Sequence, residues 1–320
     1  MVRQDAVSDT AAAAPAVSIG MPIYNAERYL RGALDAIIGQ TFVSFELIIA
    51  DNASTDRTDE ICAEYAARDS RIRYYRNPSN IGLAANFRRV FDLARSPLFK
   101  WAAYDDLIAP TFLERCVEVL RRHPEFLLCH SRTRVIDEHG AVLIHHPHDD
   151  LDIGAASPST RFNEMIRVYH WCPHQYGVIR REVLARTDLV APYPQSDRVL
   201  LAHLALLGPM AMVDEPLFSM RKHAAGSVAS FNATHSYALA WMLDPSRRGR
   251  AVLPVWRLLF ELWGVIGRAN LAHRDRLWCR VHLVIWTLRG INSARLARDL
   301  VRAAGFTLFR AGNRISDGKA

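Results

Sequence analysis

Apolar and polar positions follow two alternating periods over the first 125 residues. Short apolar runs occupy 17–25 (VSIGMPIYN), 45–52 (FELIIADN), 71–77 (RIRYYRN) and 97–106 (PLFKWAAYDD). Their length and content are those of buried strands. The first is expected to break at Pro22, which has no N–H to offer a neighbouring strand. Between these runs the apolar residues recur at helical spacing. In AERYLRGALDAIIGQ (26–40) they are Tyr29, Leu30, Ala33, Leu34, Ile37 and Ile38, and the helix is expected to end near Gly39. TDRTDEICAEYAARD (55–69) reads as a helix with Thr55 or Asp56 as N-cap. AANFRRVFDLARS (84–96) and APTFLERCVEVLRRH (109–123), with Pro110 near its start, read as two more.

Strands alternating with helices of this length predict an α/β fold with a parallel sheet covered on both faces. Ligands in such sheets bind beyond the carboxyl ends of the strands. Three polar clusters fall there: Tyr24-Asn25, DNASTD (51–56) and YDD (104–106). Past residue 130 the pattern loosens. A hairpin is expected around DEHG (137–140), a loop over 145–159, a strand feeding a helix over 175–187, a helix over 197–208 and a strand over 210–223. From about residue 247 the chain reads as helical.

Each cluster has a structural and a chemical reading. Asp51, Asn52, Ser54 and Thr55 are turn and cap residues. At a strand end the same groups can bind a base edge or a ribose. Asp105 and Asp106 are adjacent like charges, which either cap the next helix or meet a cation. Oxygen ligands of this kind suit Mg2+ or Mn2+ held by one or two carboxylates and substrate phosphates.

The ordered series Pro22-Xaa-Tyr24-Asn25, Gln40-Thr41, FELIIADNASTD, Asn80-Xaa-Gly82, Asn86 and DDLIAP resembles the opening of the family 2 glycosyltransferases, over residues 17 to 125. The resemblance implies an inverting enzyme with a GT-A fold: a Rossmann-like nucleotide-binding half joined to an acceptor-binding half, followed here by a helical segment. It implies a nucleotide-sugar-binding half over 17–130 and an acceptor half with the catalytic base over 131–245; the residues themselves read as a tail over 1–16 and as basic amphipathic helices over 246–320. Pro22, Tyr24 and Asn25 would line the base pocket, and Asp51 would contact base or ribose. Arg76, Asn80, Gly82 and Asn86 would shape the nucleotide's surroundings. Asp105 would bind the Mn2+ or Mg2+ that bridges the donor diphosphate, with Asp106 beside it on the donor. His223, in SMRKHAAGS, would complete the metal site, with Arg221 and Lys222 near the diphosphate. Asp197, which opens the helix over 197–208, stands where relatives carry the base, although it also reads as an N-cap. The family's first acid is absent, and Ala103 occupies its place.

Composition narrows the alternatives. The five cysteines form no CxxC pair, which fits a reducing compartment and a cytoplasmic location. The first 16 residues read as a disordered tail rather than a signal peptide. His170, Cys172 and His174 resemble metal ligands, but no fourth falls at finger spacing, so HWCPH reads as an acceptor-side loop. A nucleotidyltransferase or a dinucleotide oxidoreductase would need a glycine-rich loop after the first strand, and VSIGMPIYN has none. The net charge of +7 is uneven: residues 247–320 hold 15 Lys and Arg against 4 Asp and Glu, a net +11 that leaves −4 on the rest. That confinement, with no nucleic-acid motif, argues against a non-catalytic nucleic-acid-binding protein; a non-catalytic nucleotide-sugar-binding protein stays as the alternative to the transferase. Wide apolar faces edged with arginine over 253–268, 276–289 and 293–305 suit helices lying on an anionic membrane, a layer packed on the domain, or a dimer interface. The expected partners are a nucleotide-diphosphate sugar, a sugar or lipid-linked acceptor, and the inner face of a membrane.

Overall fold

The computed structural model describes residues 14–147, 149–168, 171–223, 243 and 249–317, with 307–317 described as helix backbone. Among these residues nine strands form one sheet: β1 (Val17–Ile23), β2 (Phe45–Asp51), β3 (Ile72–Arg76), β4 (Leu98–Trp101), β5 (Leu107–Ile108), β6 (Leu128–Ile136), β7 (Val142–His145), β8 (Val178–Arg180) and β9 (Met210–Arg221). The order is β3-β2-β1-β4-β8-β6-β9-β5, with β7 paired to β6. The first four strands are parallel, as the alternating pattern predicts. β8 and β5 run antiparallel to their neighbours, and β6 and β9 pair in parallel. One continuous sheet therefore joins the residues before and after position 130. The hairpin β6–β7 turns at Asp137–Gly140, where Gly140 takes the positive φ of 92° that a side chain would resist.

Helices cover both faces. On one side lie α1 (Glu27–Ile38), α2 (Thr58–Arg68) and α4 (Phe112–Arg122), over a core containing Val17, Ile19, Met21, Leu47 and Ile49. On the other lie α3 (Leu83–Asp92), α5 (Pro158–Arg167), the short α6 (Arg181–Leu184), α7 (Ser196–Leu207) and α8 (Pro254–Arg268). α3 approaches β1 closely because position 20 is glycine. A Cβ there would stand 2.7 Å from Val90 Cγ2 and 2.8 Å from Phe99 Cζ.

Three local expectations are corrected. β1 does not break at Pro22 but runs to Ile23. Ile23 O accepts from Asn52 N on the β2 side, so Pro22 turns its nitrogen to the β4 side. Pairing with β4 has already stopped there at Gly20 and Trp101, so the missing donor costs no ladder bond. The fourth strand stops at Trp101, and residues 102–106 form a turn. α2 starts at Thr58, whose N–H donates to Asp56 Oδ1 at 3.1 Å. α5, with Ser157 as N-cap and Pro158 at its start, falls where the sequence pattern is least regular.

The chain ends in α8, α9 (His273–Leu288) and α10 (Gly290–Asp317). α8 buries Leu258, Leu262, Val265 and Ile266 against α7. α9 buries Cys279, Leu283 and Trp286 against α5 and α8. α10 docks through polar bonds: the carboxylate of Asp299 accepts from Val255 N at 2.6 Å, and Trp256 Nε1 donates to Leu296 O at 3.0 Å. Among the described residues no helix is long and apolar enough to cross a membrane.

Candidate active site

The carboxyl ends of β1, β2 and β3 carry a network of amides. Asn77 Nδ2 donates to Asn52 Oδ1 and to Asn86 Oδ1, both at 3.0 Å. Asn52 Nδ2 donates to Asn80 Oδ1 at 2.8 Å, and Asn80 Oδ1 also accepts from Gly82 N. Asn86 Nδ2 donates to Ala50 O at 2.8 Å. Gly82 has φ 86° as it enters α3, a conformation suited to glycine. These bonds hold the ends of β1 and β2 to the loop before α3. Asn80, Gly82 and Asn86 were expected at this place. Asn52 and Asn77 carry as much of it; the sequence hints at them only as polar residues closing two strands.

Asn25, at φ 50°, accepts from Thr55 N through Oδ1 at 2.9 Å, while its own N–H donates to Ser54 Oγ. Tyr24 beside it is 46% exposed and presents an open ring past the end of β1, next to Pro22. Asp51 is wholly buried. Its carboxylate accepts from Ser54 N at 2.9 Å, Ser54 Oγ at 2.5 Å and Tyr74 OH at 3.0 Å, so protein donors surround it. Arg76 lies 3.8 Å away through Nε, donates to Ser54 O at 2.8 Å and is paired with Asp59. Asp51 and Arg76 thus brace the loop that positions Asn25.

The two adjacent acids lie in the turn between β4 and β5, facing the end of β9. Asp105 Oδ2 is 2.9 Å from His223 Nε2. Asp106 Oδ1 accepts from Arg221 N at 2.9 Å. Arg221 Nε donates to Asp105 O at 2.8 Å, and its Nη1 donates to Asp137 O and Glu138 O. That guanidinium, expected near a diphosphate, is instead engaged by three backbone carbonyls, while Lys222 beside it is exposed. The Tyr29 ring packs on both His223 and Arg221, each at 4.8 Å. Burial, reinforced by the Asp105 charge, pushes the Asp106 carboxyl well above the usual range. Buried Lys100, lowered to about 8 by desolvation, is the nearby cation that opposes this. The acids therefore lean on Arg221 and Lys100, and Asp105 still presents a carboxylate paired with an imidazole.

Asp197 lies in the first turn of α7. It is not the cap: Gln195 precedes the helix in a left-handed conformation, and Asp197 Oδ1 accepts from Arg198 N at 2.9 Å. Burial raises its carboxyl, opposed by that bond and by a hydrogen bond from Cys172. Tyr176, half-buried and stacked on Phe218, is pushed up by desolvation of its hydroxyl and then by the charges of Asp106, Asp105 and Asp197. A cavity of about 950 Å³ lies between the N-terminal end of α3, residues 188–194 just ahead of α7, and α8. Ile81, Arg88, Tyr193, Trp256 and Phe260 are among its walls.

A divalent cation that also takes phosphate oxygens fits this donor set. One carboxylate and one imidazole converge, and a second carboxyl, raised by burial and by the Asp105 charge, stands beside them. Such ions need only one or two protein ligands when phosphates supply the rest. Among the described residues no group of three or more His, Cys, Asp and Glu is arranged to hold a metal. Cys172 and His174 are buried, with the His174 ring 4.5 Å from His130, and His170 lies outside the described residues.

Residues 18–186 match the model of glycosyl transferase family 2. An uncharacterised Mycobacterium tuberculosis protein, Rv1520, is 35% identical over 210 residues, covering 63% of this chain and 58% of that one. The putative glycosyltransferase EpsE of Bacillus subtilis is 37% identical over 127 residues, 39% of this chain and 46% of EpsE. The chain therefore spans less than two thirds of the length of these curated relatives. Among solved structures, Staphylococcus aureus TarS 1–349 in complex with UDP-GlcNAc superposes with a TM-score of 0.60 at 13% identity, covering 89% of this chain and 79% of TarS. The mannosyltransferase PcManGT of Pyrobaculum calidifontis, in complex with GDP-Man and Mn2+, gives 0.55 at 16%, covering 94% and 80%. Both share the GT-A fold seen here, with its mostly parallel central sheet and its helices. With the family model spanning more than half of the sequence, the chain belongs to glycosyl transferase family 2.

Proposed function

We propose that the protein transfers a sugar, with inversion, from a nucleoside-diphosphate sugar to an acceptor hydroxyl on a glycolipid or cell-surface polysaccharide precursor. Residues 17–130 form the donor half, 131–245 the acceptor half and 246–320 the helical layer. The observation that supports this reading most is the pairing of Asp105 with His223 at 2.9 Å, with Asp106 beside them at the end of β9. It offers a carboxylate and an imidazole to the cation of a donor diphosphate.

On the donor side, the Tyr24 ring and the loops braced by Asn25, Asp51, Arg76, Asn80, Gly82 and Asn86 receive the nucleotide beside Pro22. The nucleotide sugars named for TarS and PcManGT support that class of donor. Asp105 and His223 hold Mn2+ or Mg2+, and Asp106 backs the donor. When bound, the cation offsets negative charge on the departing nucleoside diphosphate. Asp197 takes the proton from the acceptor hydroxyl as its oxygen bonds to the anomeric carbon. The bond from that carbon to the diphosphate breaks on the opposite face. A raised carboxyl pKa suits Asp197 to proton abstraction near neutral pH. The acceptor lies in the cavity between α3 and α8, on the cytoplasmic side at the inner face of the membrane.

A nucleotide-release screen across UDP-, GDP- and dTDP-sugars, with and without Mn2+, tests the reading. Release with one donor class, stimulated by Mn2+ and by an acceptor, is expected. No release with any donor overturns it in favour of a binding role.

A further inference from the structure

The packed helices at the end of the chain have a second apolar side. α8 turns Leu258, Leu262 and Val265 inward and leaves Phe260 and Trp263 exposed on the outside. α9 buries Cys279, Leu283 and Trp286, yet Leu277, Val284 and Leu288 are 62%, 49% and 74% exposed. Their spacing of seven and four residues places these three within a narrow stripe on the outer side of α9. Arg280, one turn from both Leu277 and Val284, stacks its guanidinium 5.2 Å from the Trp263 ring and joins the outer surfaces of α8 and α9. Ile291, also exposed, continues from Leu288 across the corner into α10.

We infer that this outer face docks on an anionic lipid bilayer, lying in the interface rather than crossing it. Folding has already used the inner faces, so domain packing does not account for the outer ones. A contiguous apolar surface on a folded chain marks a contact site. Charge identifies the occupant: residues 247–320 carry a net +11 against −4 on the rest. A second copy of the same face would meet like charge, whereas acidic headgroups complement it. Tryptophans at the edge of an apolar stripe, with arginines beside them, suit the headgroup level. Phe260 belongs both to this face and to the wall of the cavity between α3 and α8. A bilayer on the face therefore brings a lipid-tethered acceptor to the cavity mouth. The inference deepens the proposed membrane-side acceptor and rests on that reading only for what the docking serves.

Flotation of the full chain with vesicles tests it. At low salt the protein is expected to float with equal parts phosphatidylcholine and phosphatidylglycerol, and not with phosphatidylcholine alone. Tryptophan emission should shift to the blue on binding. The triple variant Leu277→Ser, Val284→Ser, Leu288→Ser should lose at least about tenfold in bound fraction, since each exposed apolar side chain adds burial in the interface. Its melting temperature should match the parent, because none of the three is buried. Arg280→Gln with Arg274→Gln, an exposed arginine one turn before Leu277, should remove the preference for anionic lipid. No flotation with anionic vesicles at low salt overturns the inference. So does a dimer in solution that the triple variant dissociates. Nucleotide release measured without vesicles separates the two ideas: its failure with flotation intact overturns the transferase reading alone.

Discussion

Asp105 and His223 are 118 residues apart in the chain, and Asp105 Oδ2 lies 2.9 Å from His223 Nε2. The turn after β4 supplies the acid and the end of β9 the imidazole. Tyr29 of α1 packs against the ring and limits its movement. Two ligand-type groups from different elements are thus positioned before any ligand arrives.

Asp105→Asn keeps the shape and removes the anionic ligand. Nucleotide release should fall by about 100-fold or more, because a cation at a leaving diphosphate is worth several kcal/mol. His223→Gln should act in the same direction and shift the Mn2+ concentration needed for half-maximal rate upward. A Mn2+ titration of both variants checks this; parent-like rates with an unshifted Mn2+ requirement would remove the pair from the metal site.

Asp197→Asn should lower transfer by about 100- to 10,000-fold, the range of a lost general base, with donor affinity retained. The parent's rate should rise with pH through a carboxyl pKa above the ordinary value near 3.9, and the variant's residual rate should lack that limb. Stability should move oppositely to activity. Burial raises this carboxyl, so the folded state holds its proton to higher pH than the unfolded chain does. The stability tied to that proton is lost as pH rises through the folded pKa. The neutral amide escapes this loss, so the variant should melt no lower than the parent near neutral pH. Thermal melts beside rate profiles test both halves.

Asn77→Ala should destabilise the fold by about 1–3 kcal/mol, because it leaves Asn52 Oδ1 and Asn86 Oδ1 short of a buried donor. The same change should raise the KM for the donor more than it lowers kcat, since it loosens loops that receive the nucleotide. Denaturant melts with steady-state kinetics provide the check.

His130 is buried against His174, and desolvation lowers its pKa to about 4. Between that value and the unfolded value of about 6.5 the folded state binds fewer protons than the unfolded chain. Stability is therefore full above about pH 6.5 and is lost as the pH falls towards 4, by roughly 3 kcal/mol from this group. His130→Gln should show a smaller pH slope across that window in urea melts at stepped pH.

Much of the fold is legible in the chain. The alternation of apolar runs with helically spaced segments names β1 to β4 and α1 to α4, because each element buries a face whose period the sequence must match. Boundaries at special residues are less legible. Pro22 reads as a strand break, yet the strand passes through it, since whether a missing N–H matters depends on which neighbour has ended. The acids at 105 and 106 read as the end of a strand and lie in a turn, because the short β4 pairs only as far as Gly20.

For the site, the motifs name Asp105, Asp106, Asp197 and His223 one by one, but the meeting of Asp105 with His223 depends on contacts across the whole chain. Asn77 is a polar residue closing a strand in the sequence, and a bridge between two other amides in space. Arg221 reads as a free cation in a basic tail, and its partners are carbonyls from two distant turns. The last helices show the division most clearly. Their composition alone determined that they are basic and apolar on more than one side. Only the tertiary structure decided which side packs on α5 and α7 and which stays outside, because identical apolar residues serve either purpose and the neighbouring surface chooses between them.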